Sequence, residues 1–176
     1  ETKRPTTGYG AWSLTDTLGW DIDYCAPTAS GTWPRMVHVG NTLHMIVDHV
    51  DDNQGNVCLG TNATRPFLYS RSQDGGATWD IQNMLMPGIA DSAQFPFLTG
   101  MGGDQYAIAA NGNTVAITTG GFGNPWLMWK STDNGNTWTM KKIHGSYGRV
   151  VDQGISGSAD WFKYASDEYH SVVVDD

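Results

Sequence analysis

The sequence predicts an all-β chain built from repeated four-stranded antiparallel units, and three observations carry that expectation. Charged residues make up 16% of the chain against 39% hydrophobic, with 22 Gly and 8 Trp among 176 residues. That balance suits short strands joined by tight turns and does not suit helices. Second, Ser72-Gln73-Asp74-Gly75-Gly76-Ala77-Thr78-Trp79 and Ser131-Thr132-Asp133-Asn134-Gly135-Asn136-Thr137-Trp138 share the pattern Ser-x-Asp-x-Gly-x-Thr-Trp at a separation of 59 positions (131 − 72). Third, two pairs of alternating apolar runs, Met36 to Val39 with Leu43 to Val47 and Tyr106 to Ala109 with Val115 to Thr118, flank Gly40-Asn41 and Gly112-Asn113. Each pair reads as a hairpin about a Gly-Asn turn.

The strands follow in order. After each hairpin comes a run into the Ser-x-Asp turn, Phe67 to Ser70 or Trp126 to Lys130, and a run out of it from the Trp. A unit is therefore four strands, A to D, with the Asp-bearing turn between C and D. A further step of 59 back from Ser72 lands on Ser13, and Ser13 to Trp20 keeps the Ser-to-Trp interval, while Asp16 and Gly19 are displaced. Trp20-Asp21-Ile22 still matches Trp79-Asp80-Ile81, which makes this a decayed third copy. The expected division is 1–25 (strands C and D of one unit), 26–84 and 85–143 (complete units) and 144–176 (strands A and B of the next, around Trp161 to Val174).

The turn's residue types have physical jobs. The carboxylates of Asp74 and Asp133 can accept backbone N–H groups of their own turns, and Gly76 and Gly135 supply positive φ. The hydroxyls of Ser72 and Ser131 tie the incoming strand, and Trp79 and Trp138 anchor the hairpins in apolar packing. The pattern resembles the Asp-box, or BNR repeat, of sialidase-like β-propellers, and the chain's general look is similar to secreted and surface propellers of Bacteroidota. The resemblance implies a β-propeller of four-stranded blades with the boxes on the blade periphery, away from the functional face, so it speaks to fold and hardly to chemistry. Three periods of 59 come to 177, one more than the chain length. Closure ordinarily takes four to eight blades, and open edges are what this architecture avoids. The expected partners are therefore the remaining blades of the same propeller, from a longer protein of which this is a fragment or from further copies assembling into a ring.

Charge and targeting bound the rest. A net charge of −8, with only ten Lys and Arg and no basic run longer than two residues, opposes nucleic-acid binding. No stretch is apolar and long enough to span a bilayer. The chain opens on Glu1 without an apolar leader run, so the expectation is an exported, secreted or cell-surface protein whose leader has been removed or whose chain has been trimmed. Cys25 and Cys58 then permit one disulfide, with two buried thiols as the alternative. Asn62-Ala63-Thr64 is a glycosylation sequon if the host glycosylates.

Candidates for chemistry are sparse. Arg35, with Asp51 and Asp52 on a long loop ahead of the first box, occupies a stretch comparable to the arginine and acid of sialidase-like glycoside hydrolases, and Arg71 opens a box of sialidase form. The family's Arg-Ile-Pro order is not reproduced, and five arginines in the chain are few for a carboxylate clamp. Asp48, Asp51, Asp52 and Asn53 form the densest patch of oxygen ligands and would suit Ca²⁺, although the spacing departs from an EF-hand; no other metal or cofactor is expected. His38 and His44 fall within strands and read as packed or edge residues. Trp12, Trp33, Trp126, Trp129 and Trp161 lie outside the boxes, where one or two exposed indoles could stack on sugar rings and the rest would pack between blades. The expected function is a non-catalytic binding or scaffolding portion, with glycan or surface protein as ligand; a glycoside hydrolase fragment and a self-assembling subunit are the alternatives.

Overall fold

The computed structural model describes residues 2–3, 13–14, 31–49, 67–89, 105–121, 124–144 and 171–175, and every described element is a strand. β1 (Thr2–Lys3) and β2 (Ser13–Leu14) form a short ladder. β3 (Gly31–Val39), β4 (Thr42–His49), β5 (Phe67–Ser72) and β6 (Ile81–Leu85) form one antiparallel sheet in chain order. β7 (Tyr106–Asn111), β8 (Thr114–Gly121), β9 (Asn124–Ser131) and β10 (Thr139–His144) form a second of the same design. Both hairpins turn on the predicted glycines: Gly40 and Gly112 take φ of 57° and 54°, which only glycine does without cost.

The two sheets stack through one shared core. Alternation puts Ile46, Phe67 and Tyr69 of the first sheet on one face and Ile117, Leu127 and Trp129 of the second on another, and these residues form a single buried cluster with Tyr106. Phe67 meets Tyr106 and Trp129 edge-on, with ring centroids 4.7 and 6.4 Å away. The segment leaving β6 closes this core: Met86 and Ile89 are fully buried, and the carbonyl of Pro87 accepts the indole N–H of Trp129 at 2.8 Å. The first sheet's opposite face carries a separate buried cluster of Met45, Val47, Leu68 and Trp79.

One expectation is corrected. Asp48, grouped in the sequence with Asp51, Asp52 and Asn53 as a loop of oxygen ligands, is instead part of β4, where it pairs opposite Phe67 and is fully buried, because the strand runs on to His49. Residues 171–175, at the end of the hairpin expected around Trp161 to Val174, are not described as strand, and the rest of that hairpin lies outside the described residues. Of the span Tyr9 to Cys25, only Ser13–Leu14 falls among the described residues, paired with Thr2–Lys3, and the rest of the two strands expected there lies outside them. Cys25, Cys58, Asp51, Asp52, Asn53, Trp12 and Trp161 lie outside the described residues.

Candidate functional site

The polar groups concentrate at the two Ser-x-Asp turns, which are built alike. In the first, Ser72 Oγ donates to Asp74 Oδ1 at 2.8 Å and accepts the Gly76 N–H at 2.7 Å. Asp74 in turn accepts the Thr78 N–H at 2.8 Å and the Thr78 hydroxyl at 2.6 Å. In the second, the corresponding distances are 2.7, 2.8, 2.9 and 2.6 Å through Ser131, Gly135, Asp133 and Thr137. Bonds from the threonine hydroxyl first, then from its N–H, hold both carboxyls at a pKa of about 2. Both aspartates are thus ionised acceptors at neutral pH, engaged with their own turns. Each turn also docks on its own sheet's hairpin: the N–H of Gly75 donates to the Asn41 carbonyl and that of Asn134 to the Asn113 carbonyl, both at 2.8 Å. Trp79 is buried on the first sheet's far face, whereas Trp138 is partly buried and meets Tyr69 of the first sheet edge-on at 4.9 Å.

Between the sheets lies a polar cluster that sequence reading does not single out. Arg71 is 4% exposed. Its Nη2 and Nε reach Asp80 at 2.5 and 3.2 Å, while its Nη1 donates to the Asn134 carbonyl at 2.5 Å and to Asn136 Oδ1 at 3.0 Å. One guanidinium therefore joins the turn of the first sheet to that of the second. Beside it, His44 Nδ1 and Tyr69 Oη share a 2.7 Å hydrogen bond, and His44 Nε2 is buried with no hydrogen-bond partner. Burial, seconded by the Arg71 charge, lowers the His44 pKa to about 4, and burial pushes the Tyr69 hydroxyl well above its usual value. A neutral imidazole, a protonated phenol and a closed Arg71–Asp80 ion pair include no group poised to exchange a proton near pH 7. The cluster is built to join sheets. A signal for it does exist in the sequence: 59 positions after Arg71 and Asp80 stand Lys130 and Thr139, so the pair departs between otherwise matched repeats.

The depressed His44 value has a consequence for stability. The unfolded chain takes up this proton near pH 6.5 and the folded chain only near pH 4, so the unfolded state binds more protons within that window. Stability is therefore expected to fall as pH drops from about 6.5 to about 4, by on the order of 3 kcal/mol from this group. Urea unfolding of wild type and His44→Phe at pH 7 and pH 5 checks it. Equal pH dependence in the two proteins would show that His44 does not titrate in this way.

The remaining candidates are dispersed. Arg35 stands exposed on β3 opposite Ile46, while Arg71 is committed to Asp80 and the second sheet's turn. Among the described residues no three His, Cys, Asp or Glu are grouped to hold a metal ion. Trp129 is fully buried, whereas Trp33 and Trp126 are 49% and 42% exposed. No described helix is long and apolar enough to cross a membrane. The chain matches no model of a known protein family and no curated protein.

Proposed function

We propose that this chain is part of an Asp-box β-propeller and serves as a non-catalytic binding or scaffolding portion of a secreted or cell-surface protein. The observation that carries the reading is the bond from Arg71 in one four-stranded unit into the Asp-bearing turn of the next. Phe67, Tyr69 and Arg71 lie on the face of β5 that meets the second sheet. Their counterparts 59 positions on are Trp126, Met128 and Lys130, which alternation puts on the face of β9 away from the first sheet. There Trp126 and Lys130 are exposed. A third unit stacked in the same sense would cover Trp126 and Met128 with its own turn, and Lys130 would reach that turn's carbonyl as Arg71 does. Such a unit comes from the rest of a longer protein or from a second copy. The non-catalytic reading is supported by the employment of Asp74, Asp133 and Asp80 as acceptors and counter-ion, which leaves them no role in bond cleavage.

Sedimentation of the isolated chain tests this. Exposed Trp126 with the partly buried Met128 beside it is expected to drive association at micromolar concentrations to masses above the 19.2 kDa of one chain, and Trp126→Glu with Lys130→Glu to restore that mass. A chain that stays at 19.2 kDa throughout, with the double variant indistinguishable, removes the repeated interface. Turnover of a fluorogenic sialoside that Arg35→Ala abolishes would overturn the non-catalytic assignment.

A further inference from the structure

We propose that Trp33 and Arg35, displayed from the bulge in β3, form a binding platform for a neutral β-linked oligosaccharide. β3 is an edge strand of the first sheet, and its pairing with β4 shifts register between Thr32 and Arg35. Trp33 sits in that bulge with φ of 48°, a conformation that a bulky residue ahead of a proline rarely adopts. It is held there from the neighbouring sheet: the hydroxyl of buried Tyr106 donates to the Trp33 carbonyl. A strained backbone fixed by a buried donor, with the indole half exposed, is the pattern of a side chain aimed for use rather than for packing.

Ligand class follows from the surroundings. Pro34 and the bulge blunt this edge against an added strand, so recognition here falls to side chains and not to backbone pairing with a peptide. An indole face offers apolar contact to the C–H face of a pyranose ring, and Arg35, an exposed residue two positions on, carries several guanidinium N–H groups of the kind that donate to sugar hydroxyls. The net charge of −8 disfavours polyanions, which selects a neutral chain over an acidic one. β-1,4-linked hexopyranoses present such flat faces in succession. This inference rests on the binding-module reading but not on how many units assemble.

Titration calorimetry with cellohexaose, chitohexaose and, as a charged contrast, hexagalacturonate tests it. At least one neutral probe is expected to bind saturably, with Trp33→Ala weakening it about tenfold or more at unchanged melting temperature. Tyr106→Phe is expected to weaken it less, because it loosens the aim of the indole and leaves the stacking face intact. In the wild-type protein the Trp33 indole resonance, assigned from Trp33→Phe, should shift during titration, a readout independent of how the alanine variant folds. Absence of saturable binding by both neutral probes, preference for hexagalacturonate, or a Trp33 resonance that stays put while sugar binds overturns the platform. A chain that remains monomeric yet binds sugar through Trp33 would instead refute the assembly reading alone.

Discussion

Gly135→Ala is expected to destabilise the protein by about 2–5 kcal/mol, among the largest effects of any single methyl group here. Two costs combine. Gly135 has φ of 83°, in the left-handed region where an alanine is strained. A Cβ at this position would also overlap Tyr69 Oη and lie 2.9 Å from its Cζ. Tyr69 cannot swing aside easily, since its hydroxyl is bonded to His44 and its ring is wedged against Trp138. The first turn supplies the contrast. Gly75 has φ of 73° with nothing within 4 Å of an added Cβ, and its counterpart Asn134 adopts φ of 60° with a side chain already in place. Gly75→Asn is therefore expected to change stability by less than about 0.5 kcal/mol. Urea unfolding of the two variants checks both numbers, and combining Gly135→Ala with Tyr69→Phe should recover part of the loss. A Gly135→Ala protein as stable as wild type would mean that the two sheets do not meet as closely as Tyr69 and Gly135 indicate.

How much of this was legible beforehand depends on where the signal is local. The turns could be read because Ser72, Asp74, Gly76 and Thr78 bond almost entirely to one another, so eight consecutive residues contain both the cause and the effect. The hairpins could be read for the same reason. The repeat is less regular than a constant 59 suggests. Gly40 to Gly112 spans 72 positions while Ser72 to Ser131 spans 59, and the 13-residue difference falls between β4 and β5 in the first unit. That extra length made Asp48 look like part of a loop, although pairing with β5 carries the strand past it. Beyond the departure of Arg71 and Asp80 from the repeat, the cluster around Arg71 was not legible, because the guanidinium's other partners are Asn134 and Asn136 on the second sheet, 63 and 65 positions away. Sequence pattern reports which face is apolar but not which turn of another sheet lands on it. The aim of Trp33 was hidden likewise, since Tyr106, which holds its carbonyl, is 73 positions away.

Arg71→Ala is expected to cost about 2–4 kcal/mol and to loosen one sheet from the other before either unfolds. The truncation leaves the Asn134 carbonyl without the guanidinium at the interface and Asp80 without its counter-ion. A fully buried pair would lose more, but the Asp80 side chain is 37% exposed and water can partly replace the lost bonds. Arg71→Lys copies the residue that the second unit carries at Lys130, and it separates charge from geometry. An ammonium keeps the attraction to Asp80 yet cannot span to Asn134 and Asn136 at the same time, so Lys is expected to recover less than half of the loss. Hydrogen exchange locates the effect. The N–H groups of Gly135 and Thr137 bond within their own turn, and that turn is braced from outside by Arg71 and Tyr69. Their protection should fall in Arg71→Ala while amides of the β3–β4 ladder, paired within the first sheet, keep theirs. If both sets lose protection together, the sheets unfold as one body and Arg71 is not a separable joint. If neither changes and stability stays within about 0.5 kcal/mol of wild type, the bond from one unit into the next carries no weight. The stacking of further units through Lys130 would then lose its precedent.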